Sequence, residues 1–170
     1  MLPVPLRALP VSMTLLQAVA RQCTTLVMPV KHALGCWRPA DLSANVQPML
    51  ATPGHGSFPA GHAVQAHAAA AVLKALWAHL LEKADAQRLG SLAERIADRV
   101  GQNRVVAGVH FKLDVVAGKK LGQAIGNWIV SMAQLDRSPL KKQDASVAPP
   151  PLTASISAAA IAEWKSASRG

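Results

Sequence analysis

Three short clusters in this sequence hold residue types that can bind a tetrahedral anion and act on it. Lys31 is separated by six residues from Arg38-Pro39, Ser57-Phe58-Pro59-Ala60 leads into Gly61-His62, and Arg104 is separated by five residues from His110, with Asp114 a helical turn further on. A phosphate-like anion spreads its charge over several oxygens, so it needs several fixed donors. Lys31, Arg38 and Arg104 supply cations, and an arginine fork suits paired oxygens. The Gly61 amide, at a predicted helix N-terminus, adds a donor aligned with the helix dipole, and the missing Cβ lets an anion come close. His110 and Asp114 share a helix face, so the carboxylate can hold one ring nitrogen and leave the other free. His62 is then the candidate acid–base group. Taken singly, solvated charges, a helix start and an ordinary one-turn pair would account for each cluster.

In order and spacing the clusters resemble the signature of the phosphatidic acid phosphatase type 2 and vanadium haloperoxidase superfamily. That signature reads Lys-x6-Arg-Pro, then Pro-Ser-Gly-His, then Ser-Arg-x5-His-x3-Asp. The match covers residues 31–114 directly and the helices from about 12 to 135 by context. Trp37 before Arg38-Pro39, Ser57-Phe58 before Pro59, and Gly108-Val109-His110-Phe111-Lys112 are similar to the haloperoxidase branch, in its C-terminal catalytic half. The resemblance implies His62, His110 and Asp114 as catalytic residues and Lys31, Arg38, Gly61 and Arg104 as oxyanion ligands. His55 and Phe58 would stand at the substrate entrance. The leading expectation is vanadate-dependent oxidation of halide by hydrogen peroxide, with vanadate as cofactor bonded to His110. The alternative is a soluble phosphomonoesterase that needs no cofactor and works through a phosphohistidine on His110. A third is an inactive truncated remnant serving as a helical module.

The chain departs from the signature at two positions. Ala60 stands where the family carries Ser, removing a hydroxyl donor worth about 1.5–3 kcal/mol to a bound anion. Asn103 replaces the Ser before Arg104.

The elements that must position these residues read as helices. Hydrophobic residues make up 51% of the 170, with no Tyr, two Phe and much Ala, which favours helix over strand. Apolar periodicity predicts helices over about 12–30 (N-cap Ser12, ended or bent by Pro29), 61–83, 86–103 and 109–135. Inward faces are expected at Val64, Ala68, Val72, Leu76 and Leu80; at Leu89, Leu92, Ile96 and Val100; and at Leu121, Ile125, Trp128, Ile129, Met132 and Leu135. Residues 35–60 carry too many Pro and Gly for a helix and form a long loop, of the kind that often carries function. The expected fold is an all-α bundle of the superfamily type over residues 1–136, lacking the first helices, with possible cover from a second copy. Residues 137–170 read as a Pro/Ala/Ser-rich tail, with one short helix near 157–166 anchored by Trp164.

The formal charge of +9 suits small anionic substrates, or halide and peroxide. No nucleic-acid motif accompanies it. Gln65, His67, Lys74 and His79 interrupt the most apolar run, so no membrane span is expected; the chain reads as soluble, with cytoplasm and periplasm both open. Cys23 and Cys36 have neither metal-ligand spacing nor a disulfide framework.

Overall fold

The computed structural model describes residues 9–133 and 151–167. They form the helices α1 (Pro10–Leu34), α2 (Pro39–Leu42), α3 (Gly61–Leu80), α4 (Lys83–Val106), α5 (Lys112–Met132) and α6 (Pro151–Ala167), and no strand occurs among them. The all-α bundle is as expected. None of these helices is long and apolar enough to cross a membrane.

Helix α1 runs straight through Pro29 to Leu34 instead of stopping near Val30. Pro29 lies on the exposed side, where the carbonyl that lost its N–H partner can turn to water. Gly35 ends the helix in the left-handed region (φ 54°), returning its N–H to the Lys31 carbonyl at 3.0 Å. The buried stripe Leu15, Val19, Cys23, Val27 continues into Lys31, so one helix face carries both core and cation.

Helix α3 is the central element, packed against α1, α4 and α5. Val64, Ala68, Val72 and Leu76 are buried as expected, with Ile125 and Ile129 of α5 completing the cluster. Helices α3 and α5 approach unusually closely through glycines. A Cβ at Gly118 would lie 2.7 Å from the Ala60 carbonyl oxygen, one at Gly126 2.8 Å from that of Ala68, and one at Gly122 would collide with that of Val64.

Helix α4 corrects the expected inward face. Leu92 and Ile96 are 42% and 56% exposed, while Ala86, Gly90, Ala97 and Gly101 are buried. Small residues let neighbouring helices come close, which leaves Leu92 and Ile96 outside, while Leu89 and Val100 are half-buried. Leu135 lies outside the described residues.

In the stretch read as a tail, the short helix expected near 157–166 is present but longer, over residues 151–167, and it is docked. Helix α6 packs on α1, α3 and α5, with Ala160 fully buried in the core. Ser12 is not the N-cap of α1, which starts at Pro10; it is buried beneath α6. The Glu163 carboxylate accepts the Val11 and Ser12 N–H groups at 2.8 and 2.9 Å and the Ser12 hydroxyl at 2.8 Å, while the Trp164 indole donates to Ser12 Oγ at 3.0 Å. A carboxylate from one helix thus caps the N-terminus of another. Desolvation works against its charge, but the two N–H groups and the hydroxyl outweigh it and hold the Glu163 pKa below the usual carboxylate value. Glu163→Ala should cost about 1–2 kcal/mol by loss of a charged cap. It should also make residues 151–167 cleavable under limited proteolysis that leaves them intact in the parent; unchanged protection would refute the capping role.

Candidate active site

The loop between α1 and α3 is fastened at both ends by backbone bonds. Ser57 donates its N–H to the Cys36 carbonyl and its hydroxyl to that of Trp37, both at 2.8 Å. A Cβ at Gly56 would lie 3.0 Å from both Cys36 N and the Lys31 carbonyl oxygen, so only glycine fits this crossing comfortably. The Ala60 N–H donates to the Asp114 carbonyl at 2.9 Å, tying the start of α3 to the first turn of α5. Met49 donates to the Ala107 carbonyl at 3.0 Å, holding the middle of the loop to the end of α4. The sequence clusters, far apart along the chain, are stitched together before any ligand is considered.

Lys31, Arg38, His55, Gly61, His62, Arg104 and His110 line one cavity of about 220 Å³. Lys31 is only 3% exposed and gives two of its ammonium protons to the Gly56 and Ser57 carbonyls, both at 2.9 Å. Arg38 donates to the Val109 carbonyl at 2.8 Å and to the His55 carbonyl at 3.2 Å. These bonds aim the cations without using all their donors. The Nε–H groups of Arg38 and Arg104 are buried and have no partner. Buried guanidinium donors left unpaired are costly, and an oxyanion would satisfy both. The Cβ position of Gly61 meets only the Lys31 side chain, at 3.9 Å, leaving the α3 N-terminus open.

His110 is buried, with Nδ1 3.2 Å from Asp114 Oδ2, which also accepts the Phe111 N–H at 2.9 Å. An ionised Asp114 selects the tautomer with Nδ1–H, leaving the Nε2 lone pair available. Asp114 itself does not line the cavity and acts by positioning the ring. Desolvation first, then Arg104, His110 and Lys31, hold the His62 pKa below the usual imidazole value. In the free site it is therefore neutral at neutral pH, and an arriving anion favours its protonation.

Phe58 differs from expectation: it is half-buried and does not line the cavity, whereas His55 does. The Pro59 end of the loop is drawn inward under α5, which takes Phe58 away from the mouth. Ala60 is fully buried at the N-cap of α3 and offers no side-chain cap. The sequence reading missed the wall formed by Cys23, Thr24, Val27, Met28, Leu50 and Gln65. Its signal is helical spacing: Val27, Met28 and Thr24 lie one or two turns before Lys31, and Gln65 lies one turn after His62.

The PAP2 superfamily profile matches residues 6–138, which include every residue of this cavity. The chain belongs to the PAP2 superfamily. No curated protein matches it. Membership implies phosphatase- or haloperoxidase-like phosphoryl-transfer chemistry, and the matched residues include those that line this cavity. The unpaired guanidinium donors, the open α3 N-terminus and His110 Nε2 suit vanadate as they suit phosphate.

Burial first, then Arg38, pushes the Lys31 pKa down to about 8, while Asp114 and Cys36 act the other way. A bound anion restores proton affinity to the ammonium, so above that pH the complex holds more protons than the free protein. Affinity for inorganic phosphate should therefore fall as pH rises past about 8, by up to about tenfold per unit. Phosphate is already a dianion there, so the change originates in the protein. Calorimetry showing a flat affinity from pH 8 to about 9.5 would remove Lys31 from the cradle.

Proposed function

We propose that this PAP2 protein hydrolyses phosphate monoesters through a phosphohistidine on His110. The observation that carries the reading is the buried His110–Asp114 pair opening onto a cavity that also holds His62 and three cations. Lys31, Arg38, Arg104 and the Gly61 amide bind the phosphoryl oxygens and neutralise the charge that develops on them. His110 Nε2 attacks phosphorus, the bond to the ester oxygen breaks, and protonated His62 gives its proton to the departing alkoxide. Neutral His62 then takes a proton from water as that water attacks phosphorus. The P–N bond breaks, phosphate leaves, and His110 returns to its neutral tautomer held by Asp114.

The second reading is vanadate-dependent halide oxidation by hydrogen peroxide, favoured by the same unpaired guanidinium donors. There Lys31, Arg38, Arg104 and Gly61 would hold vanadate, His110 Nε2 would be its protein ligand, and His62 would manage peroxide protons. Bound vanadate would supply the electrophilic activation of peroxide. One cavity-lining sulfur weighs against this chemistry: the Met28 thioether is a target for the oxidants it generates. The phosphatase reading asks nothing of the chain beyond the groups already in the cavity, and it ranks first for that reason.

Hydrolysis of p-nitrophenyl phosphate, with and without vanadate, separates the two. The expected result is turnover without vanadate and competitive inhibition by it. Halide-dependent bromination of an indicator dye, requiring vanadate and peroxide, in a protein with no esterase activity would reverse the ranking. Absence of both activities in a folded protein that binds neither anion would leave the inactive helical module.

A further inference from the structure

We propose that the remainder of the cavity is a leaving-group pocket selective for short alkyl or single-ring aryl phosphates over sugar phosphates and nucleotides. This inference rests on the phosphatase reading. The cations, His62, His110 and His55 lie among the loop and helix ends, and the rest of the lining is Cys23, Thr24, Val27 and Met28 of α1, Leu50, Ala51 and Pro53 of the loop, Gln65 of α3 and Val109. None of these carries a charge. The Cys23 thiol stays protonated, because desolvation pushes its pKa up to about 11.

The side-chain donors of this wall are already engaged. Gln65 Nε2 donates to Thr24 Oγ1 at 3.0 Å, and the Thr24 hydroxyl donates to the Ala20 carbonyl at 3.0 Å. A polyol entering here would give up its bonds to water and find few in return, a loss that polar sites exploit for discrimination. An alkyl chain would lose none. Size sets the second limit. The cavity of about 220 Å³ must hold the phosphoryl group as well as the leaving group. What remains suits a chain of about four carbons or one ring. Leu50, half exposed on the loop, belongs to this apolar lining.

The test uses the full chain and primary alkyl phosphates from methyl to hexyl, with glycerol phosphate and glucose 6-phosphate as polar counterparts of similar leaving-group chemistry. We expect kcat/KM to rise about threefold per methylene up to about butyl and then level. Glycerol phosphate should react at least about 30-fold more slowly than butyl phosphate. Leu50→Asn, at an exposed loop position that folding tolerates, should shrink the butyl-to-methyl ratio about threefold or more. The alkyl phosphonates of the same lengths, which cannot be hydrolysed, are titrated calorimetrically alongside. Turnover with no chain-length dependence, or a Leu50→Asn ratio unchanged from the parent, overturns the pocket and leaves the phosphatase reading standing. Phosphonate affinity that climbs with chain length in a protein without esterase activity keeps the pocket and removes that reading. Phosphonates that bind no better than inorganic phosphate at any length overturn the pocket whatever the activity.

Discussion

His110→Ala should lower the rate of phosphomonoester hydrolysis by about 10⁴-fold or more, because it removes the atom that accepts the phosphoryl group. Inorganic phosphate should still bind within about tenfold of the parent, since Lys31, Arg38, Arg104 and the Gly61 amide keep their places. The truncation leaves a space open to the cavity, so added imidazole should restore part of the rate. A phosphorylated species stable to alkali and labile to acid should be trapped from the parent and not from the variant. Asp114→Asn separates positioning from attack. The amide can still accept the Phe111 N–H, but rotated to donate to Nδ1 it would favour the other tautomer and occupy Nε2 with a proton; loss of about 10²- to 10⁴-fold in kcat with little change in phosphate affinity is expected. Full activity in His110→Ala would end the phosphohistidine mechanism.

Gly122→Val should destabilise the fold by about 3 kcal/mol or more. Any Cβ at this position collides with the Val64 carbonyl oxygen, and that atom belongs to a helix backbone that cannot turn aside. Helix propensity alone predicts the opposite sign for Gly122→Ala, a gain of about 1 kcal/mol, so a loss there too would isolate the steric cause. For a chain of this size the valine variant should melt about 6–12 °C lower. Ala124→Gln, two residues away on the exposed side of α5, should change stability by less than about 0.5 kcal/mol. Equal melting temperatures for Gly122→Val and Ala124→Gln would show that α3 and α5 are not pressed together there.

The site was legible because its chemistry is written in short intervals. Lys31 and Arg38 flank one helix end, Gly61 and His62 begin the next helix, and His110 and Asp114 are a single turn apart, so residue type and spacing carry the geometry. The inner face of α4 was not legible in the same way. Hydrophobic periodicity assumes that the largest apolar residues face the core, but α4 buries the small residues Ala86, Gly90, Ala97 and Gly101, with Gly90 against Lys74 of α3 and Gly101 against Val115 of α5 and Ala63 of α3. The Gly118-Gly122-Gly126 series is visible in the sequence, yet its partner surface on α3 is not. Pro29 was expected to end or bend α1, but it does not end it, because on an exposed side water takes the carbonyl left without its N–H partner. Helix α6 was legible only as a short segment near 157–166 anchored by Trp164; its full length and docking were not, because its composition resembles a solvated segment and the docking depends on Glu163 finding amides about 150 residues upstream.

That separation bears on the order in which the molecule assembles. Ser12 and Glu163 are 151 positions apart, so the α1 cap cannot form until synthesis has passed residue 163. Helices α1, α3, α4 and α5 can associate on the ribosome while the N-terminus of α1 still exposes its amides to water. Closing so long a loop carries an entropic penalty that grows only logarithmically with length, so the delay is a matter of timing more than of equilibrium. A nascent chain stalled before residue 163 should hold the anion cradle yet present the α1 surface that α6 later covers, and chaperones that recognise exposed apolar helix faces have that interval in which to engage it.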